Sequence, residues 1–138
     1  MPNMEYISRP VRNALIVHPD LGLLSVVQQS LSQEGYTPIL CRDLPTALLA
    51  IVQHRFDLCI VSVSISEKDD GWSLAGVLHM CFPQAYVAMI APEPDLLMLQ
   101  TAINSGVSQL YLASLPPAQL AIEILRDCKG PSSKTKLQ

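Results

Sequence analysis

Apolar and polar positions along this chain alternate between two periods. NALIV (Asn13–Val17) is a short β-type run. From Leu21 to Glu34 the apolar residues fall at helical spacing, with Leu24, Val27 and Leu31 on one face and Gly35 as the stop. YTPILC (Tyr36–Cys41) reads as a second strand, and Pro38, which has no N–H to give a ladder, sets it at or near a sheet edge. Asp43 is placed to cap a helix through about His54, with Pro45 in the first turn and Ala47, Leu48 and Ile51 on the inner face. DLCIVSV (Asp57–Val63) is a third strand, nearly continuously apolar, as a strand covered on both faces should be. Asp70 and Gly71 open a helix to about Cys81, and Pro83 marks its end. AYVAMIA (Ala85–Ala91) is a fourth strand. Pro94 and Asp95 start a helix carrying Leu96, Leu99 and Ile103, which stops at Gly106. SQLYL (Ser108–Leu112) is a fifth strand, and Pro116 and Pro117 open a last helix through about Cys128.

Strands that each precede a helix require right-handed crossovers and give a parallel sheet covered on both faces. The expected fold is therefore α/β, a (βα)5 doubly wound, parallel five-stranded sheet of the flavodoxin-like kind, strand order 2-1-3-4-5. A site in such a sheet lies beyond the carboxyl ends of the strands, which singles out Ser62 at the end of the third. No internal repeat or second domain is visible. The expected layout is an N-terminal extension over 1–12, one domain over 13–129 and a disordered polar tail over 130–138.

Composition narrows the function. The chain has 138 residues, 49 % of them hydrophobic and 15 % charged, which suits one globular domain. Its formal net charge of −3 offers no basic surplus, so neither nucleic acid nor membrane is an expected partner. The apolar runs are too short to span a bilayer and the N-terminus lacks a secretory apolar core, so a cytoplasmic protein is expected. Cys41, Cys59, Cys81 and Cys128 are widely spaced without a CxxC pair and read as reduced thiols. His18 caps a strand end, His54 reads as solvated surface and His79 as half-buried; their spacing makes no metal site, and no cofactor is expected.

The segments ALIVHPD (Ala14–Asp20), SLSQEGY (Ser30–Tyr36), DLCIVSVSIS (Asp57–Ser66), DDGW (Asp69–Trp72) and NSGVSQLYL (Asn104–Leu112), with the closing helix, carry a resemblance. Over about Asn13 to Lys129 the chain resembles the CheY-like receiver domain of two-component response regulators. The resemblance puts the family's phosphoacceptor aspartate at Ser62. It puts the acidic pair that holds Mg²⁺ at His18 and Pro19, with Asp20 one place later, and the switch Thr/Ser at Ala91. The family's lysine falls on Ala113 when counted from Gly106, or on Ser114 when Tyr111–Leu112 is aligned. Every one of these positions is altered, and neither His18 nor Pro19 offers the hard carboxylate oxygen that Mg²⁺ prefers. The resemblance is thus to a degenerate form, a pseudo-receiver. Asp69–Asp70–Gly71 matches the family's acidic-Gly step with one extra residue before it; it caps the next helix, and Trp72 packs in the core.

Ser62 as a nucleophile would need a base, and His18 on a neighbouring strand end is the candidate. No GxSxG elbow or oxyanion loop accompanies it, so Ser62 reads as a polar remnant. Leu96, Leu97, Met98 and Leu99 are consecutive and cannot all face one core; Leu120, Ile122, Ile124 and Leu125 also spread around their helix. By resemblance, a homodimer or partner contact belongs to the surface of the fourth helix, fifth strand and fifth helix, at Leu97, Met98, Tyr111 and Ile122; the alternative is a thickened core. The expected function is a stand-alone receiver-like signalling protein, not an enzyme, and independent of phosphorylation because the family's phosphotransfer positions are altered; with no DNA-binding output domain after residue 129, direct transcriptional control is not expected. It would act through a protein partner, a signalling protein or a component of a histidine-kinase pathway. Two alternatives stay open. One is a small flavodoxin-like ligand-binding module or enzyme using the crevice around His18, Ser62 and Ala91. The other is a phosphorelay receiver with unconventional phosphorylation.

Overall fold

Residues 12–129 are described by a computed structural model; the expected extension and tail lie outside the described residues, except for Arg12, which already belongs to the first strand. The elements run β1 (Arg12–Val17), α1 (Leu21–Gln33), β2 (Tyr36–Cys41), α2 (Leu44–Gln53), β3 (Leu58–Ser62), α3 (Gly71–Cys81), β4 (Tyr86–Ala91), α4 (Leu96–Asn104), β5 (Gln109–Leu112) and α5 (Pro117–Cys128). All strand pairs are parallel and the sheet order is β2-β1-β3-β4-β5, the expected doubly wound topology. Pro38 sits in β2, on the edge of the sheet, opposite Ala14.

The two-residue period of the strands divides the core into two layers. Leu15, Val17, Cys59, Val61, Val87 and Met89 point to one side and pack under α2, α3 and α4. Ala14, Ile16, Leu58, Ile60, Ala88 and Ile90 point to the other, under α1 and α5. β3 and β4 are buried along their whole length, which explains why their sequences show no alternation.

Local chemistry sets the helix ends. Asp20, Asp43, Asp70 and Asp95 each precede a helix in extended backbone and accept a hydrogen bond from an N–H of its first turn. α5 starts on Pro116 and has no side-chain cap bond. Gly106 follows α4 with φ +79, and the His79 ring of α3 lies where a side chain on it would stand.

The inner-face expectation for Leu48 and the half-buried expectation for His79 are corrected, and the inner face of α4 is settled. On α2 the buried positions are Ala47 and Ala50 with Ile51 partly buried, while Leu48 is 43 % exposed. On α4 only Ala102 is buried; Leu96, Leu99 and Ile103 face outward because the small alanine lets the helix approach the sheet on that side. His79 is exposed, resting against Gly106 at the end of a helix whose buried positions are Gly71, Leu74, Ala75 and Leu78.

A buried polar chain crosses the α1/α5 layer. Tyr111 donates its hydroxyl proton to Asp127 Oδ2 at 2.8 Å. Tyr86 and Tyr111 are also hydroxyl to hydroxyl at 2.8 Å, so Tyr86 is the donor there. Arg126 Nε lies 3.2 Å from the other oxygen of Asp127.

Candidate functional site at the carboxyl edge of the sheet

The parallel register brings the ends of β1, β3, β4 and β5 into line: Val17 pairs with Val61, Ser62 with Ile90, and Ala91 with Leu112. His18, Pro19 and Asp20 therefore leave the sheet beside the end of β3, where Ser62 sits, with Ala91 next along the edge and Ala113 and Ser114 beyond it. The sequence-selected residues are thus brought to one edge. Their side chains are not drawn into one constellation.

Ser62 is 7 % exposed, and its Oγ donates to the carbonyl of Ser64 at 2.8 Å. His18 is half-buried, and its Nδ1 accepts the backbone N–H of Asp20 at 3.0 Å. That bond fixes the ring proton on Nε2. Burial pushes the His18 pKa below its ordinary 6.5 and favours the neutral ring, against the opposing pull of Asp20. Serine and imidazole are each engaged with backbone, so the proton transfer that a Ser–His nucleophile requires is not set up.

The carboxylates near this edge are occupied too. Asp20 Oδ1 accepts from Gly22 N at 2.9 Å, and Asp70 Oδ1 accepts from Trp72 N at 2.9 Å and Ser73 N at 3.3 Å. Among the described residues no group of three or more His, Cys, Asp or Glu side chains is placed to hold a metal ion. The residues at this edge do not fit a Mg²⁺ site, which asks for several hard oxygens around one point.

Two features of the edge had no clear signal in the sequence. The first is the β3–α3 connection, which folds back on itself. Ser64 bridges Asp70 in antiparallel fashion, and the N–H groups of Ile65 and Ser66 both donate to the carbonyl of Asp69, at 3.1 and 3.0 Å. Ile65 is 4 % exposed and joins the α2–α4 core layer. Gly71 N then donates to Val63 O at 2.7 Å, and a Cβ on Gly71 would strike the carbonyl of Ser62. The start of α3 is held against the end of β3 in this way, and the acid-Gly step is the only trace of it in the sequence. The second is Arg42, whose Nε and Nη2 donate to Pro19 O at 3.2 and 3.1 Å and fasten the β1–α1 turn. The two residues are 23 apart, so no local pattern announces the contact.

Of the residues expected at an interface, Leu97 is 71 % and Ile122 57 % exposed, and Met98 is partly buried. Tyr111 is 4 % exposed, because its hydroxyl is drawn inward by Tyr86 and Asp127, and its side chain does not belong to the surface. Trp72 is partly buried, packs on the α2–α4 core layer and also lines, with Asp95, Leu97, Met98 and Thr101, a shallow cavity of about 200 Å³. All four cysteines are free thiols; burial pushes Cys41 up to about 11, raises Cys59 and Cys128 as well, and leaves Cys81 the exposed one.

No family model matches the sequence, and no curated protein does. Solved structures match it well in shape. A CheY-like response regulator receiver domain protein from Methanospirillum hungatei JF-1 superposes with a TM-score of 0.75 at 21 % identity, covering 86 % of this chain and 94 % of that one. Chemotaxis response regulator CheY4 of Vibrio cholerae gives 0.75 at 18 % identity, over 86 % and 99 %. A response regulator from Burkholderia pseudomallei, whose structure holds a phosphorylated aspartic acid, a calcium ion and citrate, gives 0.75 at 16 % identity, over 88 % and 68 %. No described helix is long and apolar enough to cross a membrane. The chain has the CheY-like receiver fold.

Proposed function

We propose that this chain is a receiver-like signalling module that works by contact with other proteins and not by phosphoryl transfer. One observation carries the reading. The side chain ending β3 is a serine whose hydroxyl is bonded to the carbonyl of Ser64, while the nearby carboxylates of Asp20 and Asp70 cap helices. The Burkholderia response regulator carries a phosphorylated aspartic acid and a calcium ion. We take Ser62 to stand at the corresponding position here, with His18 and Pro19 at the acidic pair, Ala91 at the switch hydroxyl and Ala113 or Ser114 at the lysine. Phosphoryl transfer relies on a positioned nucleophile with cationic and metal stabilisation of the developing charge. None of those groups is supplied by these residues.

In this reading residues 13–129 form the working unit in the cytoplasm. A partner from a histidine-kinase pathway docks on α4, β5 and α5, where Leu96 and Leu97 are over 70 % exposed and Leu112 and Ile122 are 41 % and 57 % exposed. Binding biases the module's conformation through different affinities for its states. Incubation with acetyl phosphate and Mg²⁺, followed by intact mass measurement, tests the reading. The mass should not change. An acyl phosphate, or an acid-stable phosphoester on Ser62, would sink it.

A further inference from the structure

The outer surface of α2, α3 and α4 plays no part in the site above. LPTALLAIVQ, GWSLAGVLHMC and LLMLQTAIN contain no Asp, Glu, Lys or Arg. A surface helix ordinarily turns charged or polar residues to water. Here the outward positions include Val52 at 83 %, Met80 at 82 %, Leu97 at 71 %, Leu49 at 58 %, Leu48 at 43 % and Val77 at 39 % exposed. The three helices cover one core layer. Phe56 after α2 meets Phe82 at the end of α3 edge to face, 5.7 Å between centroids, and the His79 ring of α3 rests on Gly106 after α4.

Area and charge together indicate what covers this face. The six residues together expose roughly 700 Å² spread over three helices, of the order of the ~300–600 Å² of the largest patch on a typical monomer. That is near the ~800 Å² that each partner contributes to a standard protein interface. The charge along the face is uneven. At the carboxyl edge of the sheet Asp43, Asp70 and Asp95 cap the helices, and with Glu67, Asp69 and Glu93 outnumber Arg42 and Lys68; at the opposite edge Arg55 is matched by Asp57, beside His54 and His79. A two-fold axis running across the helices in the plane of the face lays them antiparallel and keeps the two acidic ends apart. Lipid is a poor occupant. Surfaces built for a bilayer ring their apolar side with Lys and Arg, whereas the segments linking these elements hold more Asp and Glu than Lys and Arg.

We infer that the α2–α3–α4 face is the contact between two copies of this chain, paired antiparallel about a two-fold axis. Self-association then leaves most of the α4–β5–α5 surface open to a different partner. This inference does not depend on whether the chain accepts a phosphoryl group, so the two experiments fail separately. The test is sedimentation velocity over a concentration series for the full chain, the Val52→Glu/Met80→Glu double variant and Ile122→Glu. Wild type and Ile122→Glu are expected to be dimers at high micromolar concentration. The double variant, changed only at positions more than 80 % exposed, should fold normally by circular dichroism and self-associate at least tenfold more weakly. Hydrogen exchange on wild type needs no substitution: concentrating the protein should slow exchange in α2 and α3. A monomeric wild type, exchange independent of concentration, or a dimer that the double variant does not selectively dissociate overturns the inference. So does a monomer that floats with phosphatidylcholine vesicles.

Discussion

The two helical layers are alike inside and unlike outside. Leu24, Val27 and Leu31 of α1 and Leu120 and Ile124 of α5 are fully buried on one side of the sheet; Leu78 and Ala75 of α3, Ala47 of α2 and Ala102 of α4 are fully buried on the other. Outward, α1 shows Ser25, Gln28, Gln29 and Ser32 with Leu21 and Val26 among them, and α5 shows Gln119 and Arg126 around Ile122, so their apolar residues are set among polar ones. The α2–α4 layer shows Val52, Met80 and Leu97. The α1/α5 layer also contains the buried tyrosine–aspartate chain, and of its helices only α1 is capped by an aspartate, whereas all three helices of the α2–α4 layer are. Burial against the sheet settles the fold in both layers. What the outside carries is left to interaction.

The largest effects should test the likeness of the interiors. Leu78→Ala and Leu120→Ala each remove a side chain with no exposure, one from each layer, and each should cost about 3 kcal/mol in urea unfolding. Values differing by more than a factor of two would break the equivalence of the layers.

The next effect belongs to the α1/α5 layer alone. Tyr111→Phe leaves the buried Asp127 without its hydroxyl donor and should cost about 2 kcal/mol; Tyr86→Phe keeps that donor and should cost about 1 kcal/mol. Burial pushes Tyr86 up to about 12 from an ordinary 10.0, partly offset by its bond to Tyr111, and raises Tyr111 further still, with Tyr86 and Asp127 adding to the rise. A phenol with a raised folded pKa contributes its full stability below the unfolded value and loses it as pH climbs through the folded one. Unfolding free energy should therefore begin to fall from about pH 9, where the thiols of Cys41, Cys59 and Cys128, raised by burial, ionise on unfolding, and fall more steeply above about pH 10 as the phenols join them. The fall should be shallower in Tyr111→Phe, with Tyr36, also raised to about 12, contributing equally to both proteins. An identical alkaline slope would show that the buried pair does not titrate on unfolding.

The smallest effect is on the capping side. Asp70→Ala removes the acceptor for Trp72 N and Ser73 N and should cost about 1 kcal/mol, most of which Asp70→Ser restores. No change in the melting temperature of the alanine variant would mean that the bridge between Ser64 and Asp70 and the Gly71 to Val63 bond hold the start of α3 without the cap.

The order of elements, the parallel sheet and the edge position of β2 were legible in the sequence, because each rests on local chemistry: the change of hydrophobic period, aspartates before helices, glycines after them, and a proline without an N–H. The candidate edge was legible for the same reason, since topology alone aligns His18, Ser62 and Ala91 at strand ends. Side-chain directions were not. Leu48 fits an inward stripe by spacing, yet Ala50 joins Ala47 against the sheet in its place, and on α4 Ala102 takes the sheet-facing position that none of the four leading apolar residues fills. When every candidate on a helix is apolar, period no longer tells the inner face from the outer. Tyr111 reads as surface in a sequence, until a hydroxyl on a neighbouring strand and a carboxylate 16 residues later draw it inside.

The sequence by itself determined which residues would form strands and helices, and that the chain ends its third strand on a serine with no acidic pair after the first. These are properties of short windows. Only the tertiary structure decided that Ser62 turns its proton to Ser64, that the β3–α3 connection closes on Asp70, and that three uncharged helices share one exposed face. Those outcomes depend on which distant groups compete for the same donor or the same patch of sheet, and that competition exists only once the chain is folded.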